Sequence, residues 1–166
     1  MRRDVLLYPD PRLKQLAAPI ADFGDAERAL AADLVDTLRA FTGCVGVAAP
    51  QLGALVRAVA VDVTGHKKAR SCRGLTVLFN PRVTAAEGAD VAREGCLSLP
   101  DFTANVRRAS RVAVSGISGD GAPVSLEADA FEARVLLHEI DHLDGLLFLD
   151  RVASLATDVF RRKAYR

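Results

Sequence analysis

HEIDHLDG, residues 138–145, sets two histidines four positions apart with a carboxylate beside the first. The residues before it suit a helix: Phe131, Val135, Leu136, Ile140 and Leu143 recur at helical spacing. Asp129 and Glu132 form a cap-like pair at its start, and Gly145 can end it. At 3.6 residues per turn His138 and His142 project from one face, so two ring nitrogens can converge on a single ion. Glu139 lies one residue round and can carry a proton without being a ligand. The plainer alternative is a solvated or half-buried polar face. Against it, the chain has three histidines in all, the third being His66. A chance pairing at this spacing with a glutamate between is improbable, so a metal site is the better reading.

Two histidines leave a catalytic metal site one protein ligand short. A histidine three residues after Gly145 would complete one common peptidase set, but that position is Phe148; a downstream glutamate would complete another, but none follows Glu139. The third ligand must come from upstream. Cys96, in EGCLSLP (94–100), sits between a glycine and a short apolar stretch where backbone can approach an ion. Spacing alone leaves Cys44, Cys72 and His66 open beside it, and a free cysteine is often no more than a small buried hydrophobe.

The bulk properties restrict the partners. With 166 residues, 50% of them apolar, the chain can close one substantial core, and a single domain spanning 1–166 is expected. Its 22 basic and 21 acidic side chains leave a formal charge of +1, so no global field recruits DNA or an anionic membrane. The early apolar run stops at Tyr8-Pro9, too short for a signal peptide core, and no stretch approaches a membrane span, which points to the cytoplasm. Three widely spaced cysteines disfavour a disulfide framework.

The remaining elements follow from local patterns. Asp10-Pro11 suggests a short helix over 11–17. Leu30, Leu34, Leu38 and Phe41 predict a helix over 25–41, with Gly43 beyond its end. ALVRAVAVDV (54–63) and LTVLFNPRVT (75–84) read as strands across a polar, glycine-bounded loop. RVAVSGIS and APVSLEA flank the turn Gly119–Gly121 as a hairpin. Strands between helices near both ends, without regular βαβ alternation, make an α+β fold.

Three segments in order, CVGVAAPQ (44–51), EGCLSLP (94–100) and HEIDHLDG, together with the opening YPDPRL (8–13), resemble the motifs of the peptide deformylases over nearly the whole chain. The resemblance implies largely antiparallel and mixed sheets around a central metal-binding helix, with an N-terminal and a C-terminal helix. It implies Cys96, His138 and His142 as metal ligands, with water in the open position and Glu139 as general acid and base. By the same positional match, the Gln51 side chain and the Leu97 N–H are oxyanion donors, and the backbone of Gly46, of Val45 to Val47 and of the Leu97 region binds an extended substrate peptide. The implied substrate is the N-formylmethionine of new polypeptides. The implied cofactor is one divalent ion, ferrous iron (Fe2+) in the cell, with Zn2+, Ni2+ or Co2+ possible in preparations. Val45, Phe131 and Val135 are candidates for a methionine pocket, although helix periodicity alone makes Phe131 and Val135 core. Glu94 and Arg108 are expected to pair behind the cysteine loop, and Asp141 could orient a histidine.

The chain also departs from the family pattern. Cys44 stands where glycine is usual, Leu137 replaces a frequent glutamine, and DFTANVRR (101–108) lacks an early arginine that some members place near the peptide. After Asp150, Arg151, Arg161, Arg162, Lys163 and Arg166 face a single acid, Asp158, a local excess of +4. This basic segment is either a ribosome contact through RNA phosphates or a solvated end. Two other functions share the same helix. A zinc peptidase would need a different third ligand, and a structural metal site would add Cys72 or His66 as a fourth.

Overall fold

The computed structural model describes residues 1–163; Arg166, counted above in the basic segment, lies outside them. Among the described residues two antiparallel sheets and three α-helices form the frame. Helix α1 spans Asp25–Ala40, α2 Ala130–Leu143 and α3 Leu155–Asp158. The strands are β1 (Gly46–Ala48), β2 (Ala58–Val61), β3 (Thr76–Glu87), β4 (Asp90–Cys96), β5 (Leu99–Arg108), β6 (Arg111–Ser118), β7 (Pro123–Asp129) and β8 (Val159–Arg161).

The larger sheet runs β1-β2-β3-β6-β7, and its strand β2, AVAV, is buried on both faces. Val59 and Val61 turn to one face, where Leu136, Ile140 and Leu143 of α2 pack; Ala58 and Ala60 turn to the other, under Leu34 and Leu38 of α1. Small residues on the α1 side let that helix approach closely. The second sheet, β4-β5-β8, covers a separate cluster in which Leu13, Cys96, Leu99, Val106 and Phe148 are buried.

Several expected elements take a different form. The helix expected over 11–17 is one 3-10 turn, Pro11–Lys14, started by Asp10 accepting from the Arg12 N–H at 3.0 Å. The strand expected over 54–63 shrinks to β2, and that over 75–84 lengthens to Glu87. The C-terminal helix is a single turn, after which the chain runs as β8 against β5. Asp129 and Glu132 do not cap α2 with their side chains: Asp129 Oδ1 accepts from the Ser71 N–H, and Glu132 accepts from Ser71 Oγ and the Arg73 N–H at 2.8 Å each. The cap-like pair therefore fastens the polar loop after β2 to the helix. Gly145 does end α2, with φ of 71°, and a Cβ there would stand 2.6 Å from the Lys14 carbonyl oxygen.

Candidate metal centre and peptide cleft

Helix α2 and strand β4 meet at the centre. His138 and His142 project from the helix, and Cys96 ends the strand just before a two-residue turn, Leu97-Ser98, that returns as β5. One ligand atom from each of these three residues lies within 4.8 Å of the others, and Cys96 Sγ is 3.3 Å from His142 Nε2. All three are buried. Burial alone would raise the Cys96 thiol, but the adjoining His142 and His138 outweigh it and hold the thiol well below its usual value. A soft thiolate with two imidazoles suits a transition-metal dication in a site with an open position. The other residues open by spacing lie elsewhere: His66 stacks on Phe131 with ring centroids 4.0 Å apart, Cys72 is exposed beside Thr64, and Cys44 lies on the cleft wall.

The donors are held from behind. His138 Nδ1 is 2.8 Å from Glu94 Oε1, which leaves its Nε2 as the free ring nitrogen. Arg108 grips Glu94 through Nε and Nη2, at 2.6 and 2.9 Å, and donates from Nη1 to Asp141 at 2.8 Å. Arg134 adds a third donor to Glu94 at 2.7 Å, and Arg151 pairs with the far side of Asp141. The expected Glu94–Arg108 pair is thus part of a buried ionic lattice. Burial would push the Glu94 carboxyl up, but His138 and Arg108 outweigh it and bring it down to about 2. Asp141 reaches His138 only through this lattice. Arg134 escaped the sequence reading, although it stands four residues before His138, a charge on the buried face of an amphipathic helix.

Glu139 completes the inner group. It is buried, and its Oε2 has no hydrogen-bond partner among the described residues. Burial raises its carboxyl to about 7, against the opposing pull of His138 and His142. Gly46 passes so close that a Cβ on it would be 2.5 Å from Glu139 Oε1. Gln51 is buried with its Oε1 accepting from the Ala48 N–H at 2.9 Å, which fixes its NH2 end toward Cys96 Sγ, at 3.4 Å, and Ser98 Oγ, at 3.1 Å. Ser98 is a further residue that spacing did not single out.

A cleft of about 320 Å³ opens over this group. Val45, Gly46, Gln51, Leu97, Phe131 and Val135 line it, so the pocket candidates face it even though Val135 also packs into the core. Cys44 joins the wall with its thiol donating to the Gly46 carbonyl at 3.2 Å; burial and the nearby Glu139 push that thiol up to about 11, so it stays protonated. Gly43 takes a φ of 77° just before it, so the entry loop keeps a glycine turn. Leu137, on the same helix, packs partly buried against the larger core.

Comparison with known proteins agrees with this geometry. A family model described as polypeptide deformylase matches residues 2–158. The chain is 39% identical over 160 residues to a peptide deformylase of Thermodesulfovibrio yellowstonii, covering 96% of this chain and 94% of that one. It is 41% identical to one of Alkalilimnicola ehrlichii, covering 96% and 87%. The crystal structure of a peptide deformylase from Legionella pneumophila superposes with a TM-score of 0.84 at 34% identity, covering 93% of this chain and 88% of that one. With the motif residues gathered on one cleft and the match running nearly end to end, the chain belongs to the peptide deformylase family and is a hydrolase of that family.

Proposed function

We propose that this protein is a metal-dependent enzyme that removes the formyl group from the N-terminal formylmethionine of nascent polypeptides, working as one catalytic domain in the cytoplasm. The observation that carries the reading is the convergence of Cys96, His138 and His142 beside an unpartnered, buried Glu139 carboxylate. Among the described residues no helix is long and apolar enough to cross a membrane.

Cys96, His138 and His142 would hold the ion, for which ferrous iron is the cellular candidate. When bound, the ion supplies a Lewis acid and lowers the pKa of water toward about 7. Glu139 takes a proton from the attacking water as its oxygen bonds to the formyl carbon. The carbonyl oxygen becomes anionic and accepts from the Gln51 NH2 and the Leu97 N–H, each worth about 3 kcal/mol if it acts as other oxyanion donors do. Glu139 then returns the proton to the amine nitrogen as the C–N bond breaks, giving formate and a free N-terminus.

The peptide has a place to lie. Strand β1 is the end strand of the larger sheet and pairs only with β2 there, so its outer edge offers backbone groups from Val45 to Val47 to an extended substrate. Val45, Phe131 and Val135 would seat the methionine side chain.

The test is anaerobic purification with metal analysis, followed by assay of formylated and unformylated methionyl peptides. The wild type should act on the formylated peptide alone, and Glu139→Gln should lower kcat by about 100-fold to 10,000-fold with the metal retained. Cleavage of internal amides would support a peptidase instead. A full metal complement with four protein ligands and no hydrolysis would support a structural site.

We further propose that the basic C-terminal segment meets ribosomal RNA. Arg151 is occupied by Asp141, which leaves Arg161, Arg162 and Lys163 exposed among the described residues. Cosedimentation with ribosomes should weaken as salt rises and fall on truncation after Asp150; binding insensitive to both would dismiss the contact.

A further inference from the structure

The C-terminal strand does more than close the smaller sheet. Strand β8 pairs with β5 through Phe102–Arg161, Thr103–Phe160 and Ala104–Val159, and the chain continues with the Arg162 N–H donating to the Asp101 carbonyl at 2.8 Å. Arg93 locks this strand down. Its guanidinium lies 3.8 Å over the Phe160 ring and also bonds to Asn105 and Thr103. The result carries Arg162 across Gly95, the residue before Cys96, and into the wall of the cleft. A methyl group on Gly95 would meet the Arg162 guanidinium, whose flexible end lies directly over the glycine.

Arg162 has no acidic partner and no side-chain hydrogen bond among the described residues. Lys68 stands on the cleft wall with it and with Arg93. The carboxylates of the cleft are committed elsewhere: Glu94 is saturated by Arg108, Arg134 and His138, and Glu139 lies in the floor. The outer cleft is therefore cationic above a deep site that carries the chemistry. A peptide whose first residue sits against Glu139 must leave past this rim.

We propose that Arg162, held by β8, reads acidic side chains in the substrate beyond its N-terminal methionine and gives the enzyme a preference for acidic over basic sequence there. The inference rests on reading the cleft as a formylmethionyl-peptide site. A planar guanidinium can meet a carboxylate through two parallel hydrogen bonds, which an amide or an ammonium group on the substrate cannot reproduce.

The test uses formylated Met-Ala-Xaa-Ser and Met-Xaa-Ala-Ser peptides with amidated C-termini, Xaa being Glu, Gln or Lys. The metal-loaded full chain, Arg162→Gln and Arg162→Lys are compared. For wild type, kcat/KM for the Glu peptide should exceed that for the Lys peptide by about fivefold at one position at least, through KM, and the ratio should shrink with added salt. Arg162→Gln should bring the ratio close to one, and Arg162→Lys, which keeps the charge but not the paired hydrogen bonds, should restore only part of it. Equal rates for all peptides in wild type, or an unchanged ratio in Arg162→Gln, would overturn the inference alone. Failure of wild type to hydrolyse any of them would overturn the proposed function with it.

Discussion

Gly46 and Glu139 are in contact because one of them has no side chain. A Cβ at position 46 would stand 2.5, 2.8 and 2.9 Å from Oε1, Cγ and Cδ of Glu139, and Glu139 is buried, with little room to retreat. Gly46→Ala should displace the carboxylate rather than disturb the backbone. The expected result is a loss of at least about 100-fold in kcat, with overpacking costing only about 1–3 kcal/mol in thermal unfolding. A variant with wild-type kcat would show that the carboxylate moves without consequence. At this scale much of the centre was legible. His138, Glu139 and His142 declare themselves by spacing, because one helix carries all three. Cys96 did not, since its proximity depends on a strand and a turn far away in the chain; the family motifs were needed to choose it over Cys44, Cys72 and His66. Ser98 carried no signal at all, because its partner Gln51 is 47 positions distant.

Helices and strands differ in how plainly they were written. Helices α1 and α2 follow apolar residues at helical spacing, and β2, β3, β6 and β7 follow branched runs. Strands β4 and β5 were missed because their inward positions include Glu94 and Arg108 among the apolar ones, so the alternation of polarity is broken where the ionic lattice sits. That lattice predicts its own cost. Arg108→Met would leave Glu94 with Arg134 and His138 and remove the link to Asp141. Loss of one partner from a buried ion pair destabilises by about 3–5 kcal/mol, which should appear as a lowered Tm. Because the same carboxylate orients His138, metal affinity should fall by about 10-fold to 100-fold. Unchanged stability and unchanged affinity would reduce the lattice to a passive feature. Expected caps are a second place where elements misled: Asp129 and Glu132 have the right spacing for α2, yet both turn to a loop because Ser71 and Arg73 offer donors there.

The whole molecule joins two sheets of different character, and its response to acid follows from the junction. Glu94 titrates at about 2 in the folded chain against an ordinary 4.5, so the folded state holds the ionised form more tightly. A lowered folded value adds stability that is complete above pH 4.5 and is lost as pH falls from there toward 2. The loss from this one group is on the order of 3 kcal/mol. Urea or thermal unfolding followed from pH 6 to pH 2.5 should show the decline begin near pH 4.5, and Glu94→Gln should flatten it. A profile of identical slope in that variant would assign the acid sensitivity to other carboxylates. The fold as a whole was legible as α+β from the mixture of patterns. The division into two sheets was not, since it is set by contacts between distant segments such as β5 with β8.

Cys96 belongs to the smaller sheet, whereas His138 and His142 belong to a helix seated on the larger one. A cation shared among them would be a rivet through two plates. Any slippage between the plates would spread the three donor atoms before either plate lost its own hydrogen bonds, so the alignment of the layers and the grip on the ion are one property of the chain.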